Sequence, residues 1–176
     1  MNRTHLLGLA ALAAAGLAAS GPAVAHITLA VKQAQVGGSY LATFRVPHGC
    51  DGAATTAVSV KIPVGVYGVK PMPKANWKLE VQSGKYDAPF ANRGTTLTEG
   101  VTLVTWSGGN LPDAYYDEFT LSTSLADSLP ANAPLYFPVV QQCEGGKTDR
   151  WIEIPAAGKS ADDYKTPAPS VTLTTK

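Results

Sequence analysis

Two histidines, one carboxylate pair and one tryptophan hold most of the chemistry open to this sequence. His26 directly follows Ala23-Val24-Ala25, a small-residue A-x-A site of the kind cut in exported proteins. Upstream lie Arg3 and an apolar run of mostly Leu and Ala from Leu6 to Ala19. Residues 1–25 therefore read as a secretory signal peptide, and a cut after Ala25 makes His26 the mature N-terminus. There the α-amine and the imidazole belong to one residue and can close a chelate ring on a single metal ion. Nitrogen donors of this type suit copper, nickel and zinc. Position alone does not make a ligand, since the residue after a cut is only loosely constrained.

The mature chain keeps just two histidines, His26 and His48. His48 sits in Val46-Pro47-His48-Gly49-Cys50, a turn after a strand, and reads as a surface turn histidine. Its alternative role is a third nitrogen beside His26, as in the histidine brace of oxidative copper enzymes. Tyr115-Tyr116-Asp117-Glu118-Phe119 is the densest polar and aromatic cluster. Adjacent residues entering a strand point to opposite faces, so Asp117 and Glu118 would not both face one site. A carboxylate added to amine and imidazole makes a tetragonal N/O set suited to copper(II). Trp151 reads as core, or as an indole covering a metal. G-x-S-x-G, H-E-x-x-H, C-x-x-C and the phosphate-binding glycine loop do not occur, so hydrolase and nucleotide chemistry are not signalled.

The elements that must position these residues are short strands. Removing the leader takes Arg3 with it and leaves thirteen basic against thirteen acidic side chains, a balance that argues against nucleic acid and anionic membrane partners. The apolar run of the leader is too short to span a bilayer, and no second long one follows. β-rich runs separated by Gly, Pro, Asn and Asp predict strands at 27–31, 40–46, 57–62, 77–81, 101–106, 118–122, 135–142 and 150–154, with a short one at 65–69. Val58, Val60 and Ile62 alternate with Ser59 and Lys61, as a half-buried strand requires. The fold class that follows is an all-β antiparallel sandwich over residues 26–157. Residues 158–176 read as an extended tail, with an edge strand at Val171-Thr172-Leu173. Cys50 and Cys143, a lone pair in an oxidising compartment, predict one disulfide. Closing that loop of about 93 residues is worth roughly 4–5 kcal/mol in the chain-entropy model.

An ordered set of segments spans nearly the whole mature chain. It runs Ala25-His26-Ile27-Thr28-Leu29, Arg45-Val46-Pro47-His48-Gly49-Cys50, Val58 to Val66 and Lys70 to Trp77. It continues with Val104-Thr105-Trp106-Ser107-Gly108-Gly109, Asp117-Glu118-Phe119, Tyr136 to Gln141 and Arg150 to Pro155. In these the chain resembles the YcnI-like copper-binding domain family. The resemblance implies an immunoglobulin-like β-sandwich that binds one copper(II) ion through a mono-histidine brace, the amine and imidazole of His26. It also implies a carboxylate, mapped to Glu118 with Asp117 as competitor and Glu80 as a further acidic candidate. It further implies that Trp151 covers the metal without ligating it. The Tyr115-Tyr116 lead-in departs from the smaller, turn-like residues expected there. The implied role is a non-enzymatic copper carrier, periplasmic or at the cell surface, with other exported copper proteins as partners. The alternatives are a structural or interaction module without metal, and a copper oxidase or monooxygenase using His26 and His48 together.

Overall fold

A computed structural model describes residues 26–176, and the signal peptide expected over residues 1–25 lies outside them. Twelve strands follow one another: β1 (Thr28–Leu29), β2 (Gln33–Gln35), β3 (Ser39–Val46), β4 (Thr55–Lys61), β5 (Val66–Pro71), β6 (Lys78–Asn92), β7 (Thr95–Leu111), β8 (Asp117–Leu125), β9 (Pro134–Tyr136), β10 (Val139–Cys143), β11 (Thr148–Trp151) and β12 (Ser170–Thr174). Single 3-10 turns at Glu144–Gly146 and Ala161–Asp163 are the helical elements among the described residues. The strands form sheets in the orders β1-β3-β8-β5, β11-β10-β4-β7-β6 and β2-β12-β9. Only the β2–β12 pair is parallel; the other strand pairs are antiparallel.

Alternation builds the core as expected. Tyr40, Ala42, Phe44 and Val46 point inward from β3, Val58 and Val60 from β4, Val104 and Trp106 from β7, and Phe119 and Leu121 from β8. Phe119 is the hinge of an aromatic cluster, edge-on to Trp106 at 5.4 Å and to Trp77 at 5.0 Å between ring centroids. The indole N–H of fully buried Trp106 donates to the Met72 carbonyl at 3.0 Å, so burying the ring strands no donor.

Three departures from the sequence expectation have physical causes. The strands expected at 77–81 and 101–106 are the inner halves of a long hairpin, β6–β7, paired from Lys78↔Ser107 out to Asn92↔Thr95. Its turn residues Arg93 and Gly94 both take positive φ, 47° and 78°, the turn geometry that matches strand twist. Its outer half is polar and lacks an inward series, so periodicity could not find it. The single strand expected over 135–142 is broken into β9 and β10 at Phe137-Pro138, because Pro138 has no N–H for a ladder. The 158–176 segment, expected as a tail with an edge strand, delivers β12 to the centre of the third sheet, with Val171 and Leu173 buried in the main core. The predicted disulfide joins Cys50 to Cys143, tying the β3–β4 loop to the end of β10.

Candidate metal centre

The antiparallel register of β1 on β3 pairs Thr28 with Arg45 and Leu29 with Phe44. Running backward along β1, the same register brings His26 beside the loop that leaves β3, which holds His48. Trp151 ends β11, the edge strand of the second sheet, with its ring turned inward and only 3 % exposed. Both imidazoles lie against that indole. The His26 ring centroid is 5.7 Å from that of Trp151, tilted by 59°, and the His48 centroid is 6.5 Å away at 68°. Two residues that are 22 positions apart in sequence thus share one aromatic wall, and both are half-buried.

Gln141 of β10 fixes this arrangement. Its side chain is fully buried and every polar atom on it is used. The carboxamide oxygen accepts from the Trp151 indole N–H at 3.0 Å, while the amide nitrogen donates to the His48 carbonyl and to the Thr55 hydroxyl, each at 2.7 Å. One side chain therefore sets both the indole plane and the height of the His48 backbone. Sequence reasoning missed Gln141, though a signal existed: Val139, Gln141 and Cys143 form one inward series along β10.

The His48 loop is held from three further directions. Cys50 and Ala53 exchange both backbone hydrogen bonds at 3.0 Å, and Cys50 carries the disulfide. Gly49 donates its N–H to the Asp113 carboxylate at 2.9 Å. A Cβ at Gly49 would fall 1.8 Å from the Ala53 carbonyl oxygen, so the turn requires glycine. The His48 Nδ1 contacts the Gly49 carbonyl.

The two sequence-predicted carboxylates have other partners. Asp117 Oδ1 takes the Lys74 ammonium at 2.6 Å and the Glu118 N–H at 2.8 Å. Glu118 pairs with Arg45 at 2.8 Å across β3–β8, and Glu80 pairs with Lys78 at 2.6 Å on β6. As expected of neighbours on a strand, Asp117 sits opposite inward Val46 and Glu118 opposite outward Arg45. Among the described residues no group of three or more His, Cys, Asp and Glu side chains is arranged to hold a metal. The structure brings His26, His48 and Trp151 together, and pairs Asp117, Glu118 and Glu80 with Lys74, Arg45 and Lys78.

Residues 26–173 match the family described as "Domain of unknown function (DUF1775)", which is the same domain as the YcnI-like family. Among solved structures, the chain is similar to an uncharacterized protein from Nocardia farcinica whose crystal structure is described as revealing an immunoglobulin-like fold. The two are 29% identical, with a TM-score of 0.62, over 85% of this chain and 98% of that one. The antiparallel sandwich is accordingly immunoglobulin-like. The curated proteins returned no match. No helix among the described residues is long and apolar enough to cross a membrane.

Proposed function

The chain belongs to the DUF1775 family, and from that premise we propose that it is an exported copper(II)-binding carrier whose site is the mature N-terminus. The observation that carries this reading is the convergence of His26 and His48 on the Trp151 indole. The amine and imidazole of His26 would chelate the ion, and the imidazole of His48 would complete three nitrogens. Trp151, its N–H already given to Gln141, would wall one side as an apolar surface and contribute no ligand. This reading puts His48 where the family resemblance implies a carboxylate, Glu118 or Asp117, which here pair with Arg45 and Lys74. The Cys50–Cys143 disulfide fits a protein that works in an oxidising compartment, periplasmic or at the cell surface.

The decisive test is a copper(II) titration of protein processed to begin at His26, read by electron paramagnetic resonance. The wild type should take up one equivalent with three coupled nitrogens. His26→Ala should abolish tight binding, and His48→Ala should weaken it at least tenfold and reduce the coupled nitrogens to two. Glu118→Gln should change neither. Binding that survives His26→Ala unchanged would sink the proposal and favour the structural module. The oxidase reading uses the same nitrogens, so it is separated by turnover: a carrier loaded with copper consumes oxygen and ascorbate no faster than buffer containing the same protein without metal.

A further inference from the structure

A cleft of about 170 Å³ opens beside His26, between β1 and the segment that leads into β12. His26, Thr28 and Lys32 line one side, and Ser170 and Thr172 the other, over an apolar floor that includes Pro167. Its polar side chains are thus an imidazole, an ammonium and hydroxyls, and no carboxylate lines it. The acidic residues of the neighbouring segments are turned to their own backbone. Asp163 accepts from the Ser160 N–H at 3.0 Å, and Asp162 lies 3.5 Å from the Ser160 hydroxyl. Glu153 accepts from both the N–H and the hydroxyl of Thr166, at 2.7 and 2.9 Å. Glu118 is held by Arg45.

The charged side chain of the lining is thus the Lys32 ammonium, with no carboxylate among the lining residues to offset it. Burial, and then the nearby Arg45 guanidinium, push the pKa of Lys32 down, so its charge lacks a compensating partner. An incoming anion would relieve both effects. The cleft is open to solvent on one side and large enough to admit a small molecule.

We propose that this cleft binds the carboxylate of a small organic anion, seated on Lys32 with its apolar part over Pro167. Resting on the copper reading above, its use would be to receive copper(II) arriving as the chelate of an amino or hydroxy acid. The carboxylate would dock beside the residue that takes over the metal. Hydroxyls at Thr28, Ser170 and Thr172 offer hydrogen bonds to the same group.

The probe is propionate, added to metal-free protein that begins at His26 and followed by amide chemical shifts at constant ionic strength, with chloride as the matched control. Saturable shifts are expected at Thr28, Lys32, Ser170 and Thr172. Lys32→Met should weaken them at least tenfold, and Lys32→Arg should restore them. Lys32 is exposed by area, so neither variant threatens the fold. Shifts that stay linear and equal those of chloride, or that ignore Lys32→Met, would overturn the inference. The two readings fail separately. Copper uptake dependent on His26 without propionate saturation removes only the anion site. Propionate saturation with copper uptake indifferent to His26→Ala supports the anion site and removes the carrier.

Discussion

Replacing Gln141 by leucine keeps the volume of a fully buried side chain and deletes all its hydrogen bonds. Three groups lose a partner: the Trp151 indole N–H, the His48 carbonyl and the Thr55 hydroxyl. The hydroxyl can rotate, and it already lies 3.9 Å from the Cys143 sulfur, so its loss is discounted. The indole N–H and the carbonyl remain, at about 1–2 kcal/mol each for a buried group left unsatisfied. The expected destabilisation is about 2–4 kcal/mol, a large share of the 5–15 kcal/mol typical of a domain. Urea unfolding of the oxidised protein, followed by tryptophan fluorescence, measures it. With a slope of about 2 kcal/mol/M, the midpoint should fall by roughly 1–2 M while the slope stays constant. Copper affinity should fall as well, since the same side chain sets the His48 loop. A midpoint shift under about 0.3 M would refute the reasoning, because it would mean these groups find other partners at no cost.

Further outcomes follow from the same contacts. Gly49→Ala places a methyl 1.8 Å from a backbone oxygen and should cost at least about 3 kcal/mol, read as a lowered thermal midpoint with the disulfide intact. Reducing Cys50–Cys143 releases a loop of 93 residues and should cost about 4–5 kcal/mol in urea titrations with and without reductant. Burial lifts the Tyr40 phenol from its ordinary value to about 12, and its hydroxyl donates to the Val31 carbonyl at 2.7 Å. The folded state then holds this proton longer than the unfolded one, so stability should fall as pH rises from about 10 to 12. That slope should flatten in Tyr40→Phe, in thermal melts across this window. On the proposed copper reading, affinity should decline in acid, because the nitrogen donors would have to shed protons to bind, and titrations at stepped pH test this.

What could be read from the chain alone depended on whether burial left a periodic trace. β3, β4 and β8 carry clean inward series such as Val58-Val60 and Phe119-Leu121, and these strands stand where alternation put them. The outer half of β6–β7 has no inward series, since it projects where no opposing sheet demands one. Its aromatic contacts, Tyr86 with Phe90 at 5.1 Å and Tyr67 with Phe90 at 6.2 Å, are local exceptions too sparse to show a period. At the site, His26 was legible from cleavage chemistry and Trp151 from its break with an outward polar run. His48 in isolation looked like a turn residue; only the β1–β3 register, a non-local fact, seats it beside the same indole as His26. Gln141 was overlooked for a different reason. A glutamine in a strand reads as solvent-facing, and its inward neighbours Val139 and Cys143 outweigh that prior only once the disulfide direction is fixed.

The position of β12 sets a timetable for folding. The Thr174 hydroxyl reaches the Ala34 carbonyl 140 positions earlier, and β12 lies between β2 and β9 with Val171 and Leu173 in the core. β2 therefore has no ladder partner until nearly all of the described chain has been made. Such long-range pairing slows closure, since loop entropy must be spent before the contacts reward it. On the export proposed above, the delay is an asset: the emerging polypeptide stays loose until residues 170–174 follow it through. Deleting those residues would then leave an open sandwich instead of a trimmed one.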